Sequence, residues 1–240
     1  MKLSIVVPAR NEEDNIVEVI RKIEDTLGFD HELVVVNDHS TDMTRKRVEE
    51  LSRQYNCLAL VDNTLPAGFA NALRIGFKQG LGEYVIPVMG DLCDDLETIT
   101  VMLAAMEQGY DVVCGSRYMK GGARLGGSKL KAFFSRWGGV SLRYLLGVPT
   151  HDICNAFKMY RREVLEAIES EAEGFEISME LPLKAYYLGF KITEVPTVWH
   201  ERSRGVSNFK VFKLLPRYIR LYFWAIGKRL QRRGGVTPPV

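Results

Sequence analysis

EYVIPVMGDLCDDLE, residues 83–97, passes from an apolar run directly into acid. Tyr84, Val85, Ile86, Pro87, Val88 and Met89 have the composition of a buried strand; Gly90 breaks it, and Asp91, Asp94 and Asp95 follow. A strand ending in clustered carboxylates sets negative charge at the carboxyl edge of a sheet, where open α/β sheets bind their ligands. Crowded carboxylates repel one another unless a cation joins them, and hard divalent ions bound to phosphates are the usual guests. Asp91, Asp94 and Asp95 are therefore candidate metal ligands. A competing reading makes Asp94 or Asp95 the cap of a helix over 95–108.

On either side of this stretch, β-branched runs alternate with helical patterns. Leu3–Val7, Glu32–Val36, Leu58–Val61 and Asp111–Cys114 read as further strands, with helices over 12–27, 42–55, 69–80 and 95–108 between the strands. The helix over 12–27 places Ile16, Val19, Ile20 and Ile23 on one face at helical period. Strands joined by helices of this length imply right-handed βαβ crossovers, hence an α/β fold with a mostly parallel sheet flanked by helices. Beyond residue 115 the pattern loosens. GGARLGG at 121–127 reads as a mobile loop by composition, followed by an amphipathic helix over 128–146. A strand over Phe157–Tyr160, helices over 162–169 and 176–188 and a strand over Lys191–Val195 complete the body. The tail, 209–233, is helical in pattern but interrupted by Pro216.

A chain of 240 residues fits one large domain, or one domain with an appendage. With 46% hydrophobic and 26% charged residues it has the composition of a soluble protein with a full core. No apolar stretch approaches the ~20 residues that span a bilayer, and the start, MKLSIVVPAR, enters a strand with too short an apolar run for a signal peptide. Cys57, Cys93, Cys114 and Cys154 form no CxxC pair. They read as reduced, structural thiols of a cytosolic protein. His31, His39, His151 and His200 show no metal-ligand spacing along the chain, so no zinc site is expected. The net charge of +2 conceals an asymmetry: from residue 201 onward ten basic residues face one acid, a net +9, which leaves −7 on residues 1–200. A basic tail on an acidic body suits an anionic surface.

Four turns at the carboxyl edge carry polar groups: Pro8-Ala9-Arg10-Asn11-Glu12, Asn37-Asp38-His39-Ser40-Thr41-Asp42, Gly90-Asp91 and Gly115-Ser116-Arg117-Tyr118. Together they make a cleft suited to a nucleotide. The glycine fingerprints of dinucleotide sites and P-loops are absent, which disfavours a hydride-transfer enzyme or an NTPase.

VVPARNEEDNI, VNDHSTDMT, the aspartate turn at 91, GSRY at 115–118 and VPTVWHERSRGVSNFK resemble, in order and spacing, the inverting GT-A glycosyltransferases of the polyprenyl-phosphate-mannose synthase type, over roughly residues 1–212. The resemblance implies a Rossmann-like GT-A catalytic domain over 1–208 and basic amphipathic membrane-interfacial helices over 209–240. It places Pro8, Arg10, Glu12 and Asp38 around base and ribose, with Gly90 and Asp91 beside the donor. Asp91 matches the DxD position that chelates Mg²⁺ or Mn²⁺ on the donor pyrophosphate. Arg117 and Arg202 would pair with phosphates, for which the arginine fork is well shaped. Arg136 and Ser207 would face the acceptor. Asp152 stands where the superfamily often places an acidic residue near the acceptor; a turn or capping role is its other reading. The sequence departs from the pattern at three points. Met89 replaces the first DxD aspartate, Asn37 replaces the first aspartate of the second turn, and Ser207-Asn208 stands for a serine-lysine pair, leaving Lys210 as the substitute phosphate contact.

The implied activity is transfer of a hexose, foremost from GDP-mannose, to a polyprenyl phosphate such as dolichyl phosphate, with inversion. Two alternatives remain open. One is a UDP-sugar donor with a lipid-phosphate or hydroxyl acceptor, Asp152 then serving as base. The other, supported by Met89, is a non-catalytic nucleotide-sugar-binding or scaffold protein. In FKVFKLLPRYIRLYFWAI, residues 209–226, Lys210, Lys213, Arg217 and Arg220 form one basic stripe beside aromatic residues. Such a helix can lie on anionic lipid, giving a protein peripheral to the cytosolic face of a membrane; packing on the body with a solvated stripe is the competing reading. No nucleic-acid-binding fold accompanies the stripe, so nucleic acid is not an expected partner.

Overall fold

The computed structural model describes residues 2–91, 93–201 and 211–233. The strands are β1 (Leu3–Ala9), β2 (His31–Asn37), β3 (Leu58–Asp62), β4 (Tyr84–Pro87), β5 (Val112–Ser116), β6 (Ala123–Leu125), β7 (Lys158–Arg161), β8 (Ile192–Pro196) and β9 (Val198–His200). The helices are α1 (Ile16–Thr26), α2 (Thr44–Ser52), α3 (Phe69–Gln79), α4 (Thr98–Glu107), α5 (Lys129–Leu146), α6 (Arg162–Ala167), α7 (Ile177–Leu188) and α8 (Val211–Arg233). Seven strands form one sheet in the order β3-β2-β1-β4-β7-β5-β8. Every neighbouring pair is parallel except those of β7, which runs antiparallel to both β4 and β5. The expected mostly parallel α/β sheet is therefore present, and it brings the turns after β1, β2, β4 and β5 to one edge.

The inner strands β1, β2, β4, β5 and β7 are buried on both faces, as crossover helices require, while the edge strands β3 and β8 are partly exposed. One face packs Ile16, Ile20 and Ile23 of α1 and Ile99 and Met102 of α4 on Ile5, Val35 and Ile86. The other packs Leu73 of α3 and Leu181 of α7 on Val6, Val34 and Val112. Gly76 sets the approach of α3: a Cβ there would lie 2.2 Å from Val6 Cγ1, so any larger residue would push the helix off the sheet. A third cluster, Leu142, Leu146, Val148, Ile153, Met179, Leu183 and Ala225, joins α5, α7 and α8 at the carboxyl edge.

Two sequence expectations need correction. The glycine-rich segment 121–127 is not a bare loop: β6 lies within it and pairs in parallel with β9. Gly126 and Gly127 adopt left-handed φ of 84° and 78° just after that pairing, and the Gly127 N–H donates to Glu201 Oε2 at 2.9 Å. Composition registered the glycines but not the distant strand that orders them. Nor does Pro216 interrupt the tail. It sits inside α8, in the second turn, where it removes a single backbone donor. Packing offsets that loss: Tyr222 stacks on Trp137 at 5.7 Å and Tyr187 Oη donates to the Ala225 carbonyl at 2.5 Å.

Candidate active site

The first two turns are laced into one unit. Asn11 and His39 both adopt left-handed φ, 53° and 56°, which turns the chain sharply at the strand ends. The Asn11 N–H donates to Ser40 Oγ (3.2 Å), the Thr41 N–H donates back to Asn11 Oδ1 (2.9 Å), and the Glu12 N–H donates to Thr44 Oγ1 (2.9 Å). Asp38, 4% exposed, lies just below. Its Oδ1 accepts from Asn63 Nδ2 at 2.7 Å and its two oxygens take the Gly68 N–H at 3.1 and 3.0 Å. One carboxylate thus ties the ends of β2 and β3 to the head of α3. Above it the Phe69 and Phe175 rings stack at 4.6 Å, a flat apolar wall beside the first turn.

The acidic turn after β4 separates its three carboxylates. Asp91 faces the cavity, and its Oδ1 accepts the Cys93 N–H at 3.3 Å. Asp94 is buried behind it: its Oδ2 accepts the Met89 N–H at 3.1 Å, and its backbone forms an antiparallel bridge to Trp199. Burial, with the charge of Asp91 added, pushes the Asp94 carboxyl up to about 7. Asp95 turns the other way and accepts from Thr98 Oγ1 at 2.9 Å, but the N-cap of α4 is Glu97 and no side chain caps it, so the expected aspartate cap is not formed. Hard oxygen donors beside a backbone turn suit Mg²⁺ or Mn²⁺, and Asp91 is the carboxylate placed to supply the first of them. A nearby cation would offset the Asp91 charge that adds to burial in raising Asp94.

Across the edge, Arg117 leaves β5 and meets Asp152. Nε donates to Asp152 Oδ2 at 2.6 Å, Nη2 to Oδ1 at 2.9 Å, and the Arg117 backbone N–H to Oδ2 at 3.1 Å. Nη2 also reaches Ser135 Oγ at 2.9 Å, and the guanidinium lies 5.2 Å from the centre of the Tyr118 ring. Burial works against the charge, but Asp152 outweighs it and holds the guanidinium above its ordinary value. The loop bearing Asp152 presses on α5 through Gly139, where a Cβ would sit 2.2 Å from the His151 carbonyl oxygen.

These groups border one cavity of about 1470 Å³. Its floor includes Pro8, Arg10, Glu12, Asp38, Asp91 and Arg117, so six predicted site residues converge. Gly90 lies under the floor, 3.5–3.6 Å from Pro8 O and Glu12 Cγ as measured from a Cβ built on it. Asp94 and Asp152 stand behind Asp91 and Arg117 as supports. Arg136 is exposed on α5 and does not line the cavity. Arg202, Ser207 and Lys210 lie outside the described residues. The opposite wall was not foreseen: Phe134 and Trp137 of α5, Tyr218 and Tyr222 of α8, and Glu173 and Phe175 before α7. Arg217, assigned to the basic stripe, instead turns inward and donates to Glu173 Oε2 at 2.6 Å and Glu176 Oε1 at 3.4 Å. The only sequence signal for that pairing was the acid-rich Glu169-Ser170-Glu171-Ala172-Glu173, which carries no motif. Among the described residues, no helix is long and apolar enough to cross a membrane.

Residues 4–169 match the family model for glycosyl transferase family 2. The chain is 32% identical over 231 residues to a dolichol-phosphate mannosyltransferase of Pyrococcus furiosus, covering 93% of this chain and 64% of that protein. It therefore spans a little under two thirds of that relative's length. It is 31% identical over 240 residues to a polyprenol monophosphomannose synthase of Mycolicibacterium smegmatis, covering 97% of this chain and 90% of that one. Among solved structures, glucosyl-3-phosphoglycerate synthase from Mycobacterium tuberculosis in complex with phosphoglyceric acid superposes with a TM-score of 0.70 at 21% identity, covering 95% of this chain and 79% of that chain. The same enzyme with Mn²⁺, uridine diphosphate and glucosyl-3-phosphoglycerate gives a TM-score of 0.66 at 21% identity, covering 99% and 81%. At these identities the solved structures share the fold.

Proposed function

The chain belongs to glycosyl transferase family 2, and from that premise we propose that it transfers a hexose from a nucleotide sugar, GDP-mannose foremost, to a polyprenyl phosphate such as dolichyl phosphate, with inversion at the anomeric carbon. One observation carries the reading. A single cavity joins the polar floor of Asp38, Asp91 and Arg117 to an aromatic wall of Phe134, Trp137 and Tyr222, so a charged donor and a greasy acceptor have adjoining surfaces. The names of the two relatives, each a mannosyl transferase to a prenol phosphate, support the choice of sugar and acceptor.

The acceptor phosphate is already ionised near neutral pH, so it attacks the anomeric carbon in line without a strong general base. That suits the geometry of Asp152, whose two oxygens are both engaged by Arg117. Asp152 orients the guanidinium, and Arg117 offsets charge as the nucleoside diphosphate departs. A bound Mg²⁺ or Mn²⁺, held by Asp91 with Asp94 behind it, would offset the same charge; the related fold crystallised with Mn²⁺ and uridine diphosphate supports this. Arg202 and Lys210 complete the proposed phosphate contacts and Ser207 the acceptor side, from the segment preceding α8.

Residues 1–208 form the proposed catalytic unit and 209–240 its membrane-facing part, peripheral on the cytosolic face. Phe133, Trp137 and Phe223 are 61%, 57% and 65% exposed on α5 and α8, an apolar ridge beside the aromatic wall. A ridge of this kind rests in the headgroup region and opens the cavity toward a lipid acceptor. The test is a transfer assay with labelled GDP-mannose or UDP-glucose, dolichyl phosphate in detergent, and Mg²⁺ or Mn²⁺. Label from GDP-mannose in the lipid extract is expected. Label from UDP-glucose alone would replace the donor, and donor binding without transfer to lipid phosphate or hydroxyl acceptors would favour the non-catalytic reading.

A further inference from the structure

At the opposite, amino edge of the sheet, three side chains distant in sequence converge. Glu24 lies in the last turn of α1, His31 opens β2, and Cys57 immediately precedes β3. His31 Nε2 is 3.2 Å from Glu24 Oε1, and Cys57 Sγ is 3.2 and 3.3 Å from Glu24 Oε1 and Oε2. One candidate ligand atom from each residue lies within 4.8 Å of the other two. Two ligands bonded to tetrahedral Zn²⁺ at ~2.0–2.3 Å stand roughly 3.3–3.7 Å apart, so the cluster is already near that spacing.

Proton bookkeeping leaves a gap that a cation fills. His31 Nδ1 is 2.8 Å from the Phe29 carbonyl oxygen, which can only accept, so Nδ1 carries the hydrogen. In the neutral ring the Nε2 lone pair then faces a carboxylate oxygen at 3.2 Å, two acceptors in contact, in a residue only 6% exposed. A metal would join the imidazole, the carboxylate and the sulfur together, replacing the Cys57 S–H donation to Glu24. The Nδ1–H to carbonyl bond is also the outer-shell arrangement that fixes a metal-binding histidine. Glu24 further stands at the negative end of α1, whose last turn carries no basic residue, so a cation is favoured there.

We propose that Glu24, His31 and Cys57 bind Zn²⁺ as a site separate from the catalytic edge, with water as fourth ligand on the partly exposed side. A thiolate-imidazole-carboxylate set selects Zn²⁺ over Mg²⁺, which prefers oxygen alone. The site staples the end of α1 to the incoming ends of β2 and β3. Binding as thiolate displaces the Cys57 proton, so metal uptake weakens in acid.

The experiment titrates the metal-stripped full chain with Co²⁺ and follows the thiolate-to-cobalt charge-transfer absorption, which a carboxylate site cannot give. One equivalent producing that band, with tetrahedral visible bands, displaced by Zn²⁺ and not by excess Mg²⁺, is expected. Cys57→Ser, which keeps the side-chain size, should abolish the band and the rise in melting temperature caused by Zn²⁺. Cys93→Ser and Asp91→Asn should retain both. His31→Gln should weaken Zn²⁺ binding by at least the ~10–100-fold that losing an outer-shell partner costs. Absence of the band, its survival in Cys57→Ser, or its loss in Cys93→Ser would overturn the assignment, and none of these outcomes bears on sugar transfer at the other edge.

Discussion

Asp152 holds Arg117 by three hydrogen bonds, two from the guanidinium and one from the backbone, and the carboxylate itself is fully buried. The pair joins the end of β5 to the loop ahead of β7. It fixes both the position of the cation and the direction in which its remaining donors point.

Asp152→Asn leaves that guanidinium buried without its counter-charge. Removing one partner of a buried pair costs about 3–5 kcal/mol, so the urea midpoint should fall sharply. Adding Arg117→Met should recover much of the stability and none of the transfer. Urea unfolding and transfer assays on the two variants measure this separation directly.

Arg117→Lys keeps one charge but loses the fork. Transfer should drop ~10–1,000-fold while the chain still folds. Unchanged turnover and nucleoside-diphosphate affinity would reduce Arg117 to a structural ion pair.

Asp91→Asn should abolish cation-stimulated transfer with an unaltered circular dichroism spectrum, since it removes charge without changing size. Asp94→Asn and Asp95→Asn should have smaller effects, because their carboxylates already serve the Met89 N–H and Thr98. Transfer measured across a Mn²⁺ titration ranks the three.

Phe133→Ser, Trp137→Ser and Phe223→Ser combined should reduce sedimentation with anionic liposomes by well over tenfold, as each large apolar side chain removed from lipid forfeits about 1.5–3 kcal/mol. Truncation at 209 is the less selective test, because it uncovers Leu142, Met179 and Leu183 around Ala225. Binding equal to that of the intact chain would make the ridge a packing surface only.

Glu180 gives a pH prediction. Burial would raise its carboxyl, but bonds from Ser170 Oγ, the Glu171 N–H and Lys184 outweigh that and lower it. A lowered carboxylate stabilises the fold above its unfolded value of about 4.5, and the contribution is lost as pH falls through the folded value. Glu180→Gln should therefore cost about 1–3 kcal/mol near neutrality. The gap from wild type should close in acid, as read by urea unfolding at several pH values.

Most of the sheet was legible because each strand and its helix are local patterns: Ile16, Val19, Ile20 and Ile23 announce one face of α1 whatever the rest of the chain does. The floor of the cavity was legible for the same reason, since a strand end followed by polar residues is a local signal. What escaped depends on contacts between distant segments. Nothing around Ser135 or Glu173 marks them as neighbours of Arg117 or Arg217. The glycines of 121–127 conceal a strand because its partner lies some seventy residues on, at Val198–His200. Glu24, His31 and Cys57 show no ligand spacing because three elements, not one, bring them together.

The reversed direction of β7 has a consequence for what chemistry the edge can assemble. In an all-parallel sheet, every segment arriving at a strand does so at the edge opposite to the one from which chains depart, so arriving and departing residues never meet. One inverted strand suspends that segregation locally: the segment approaching β7 is delivered to the same rim that β4 and β5 leave. Asp152 can confront Arg117 only because of that inversion, and an otherwise similar sheet with β7 turned round would carry both residues on opposite sides of the protein.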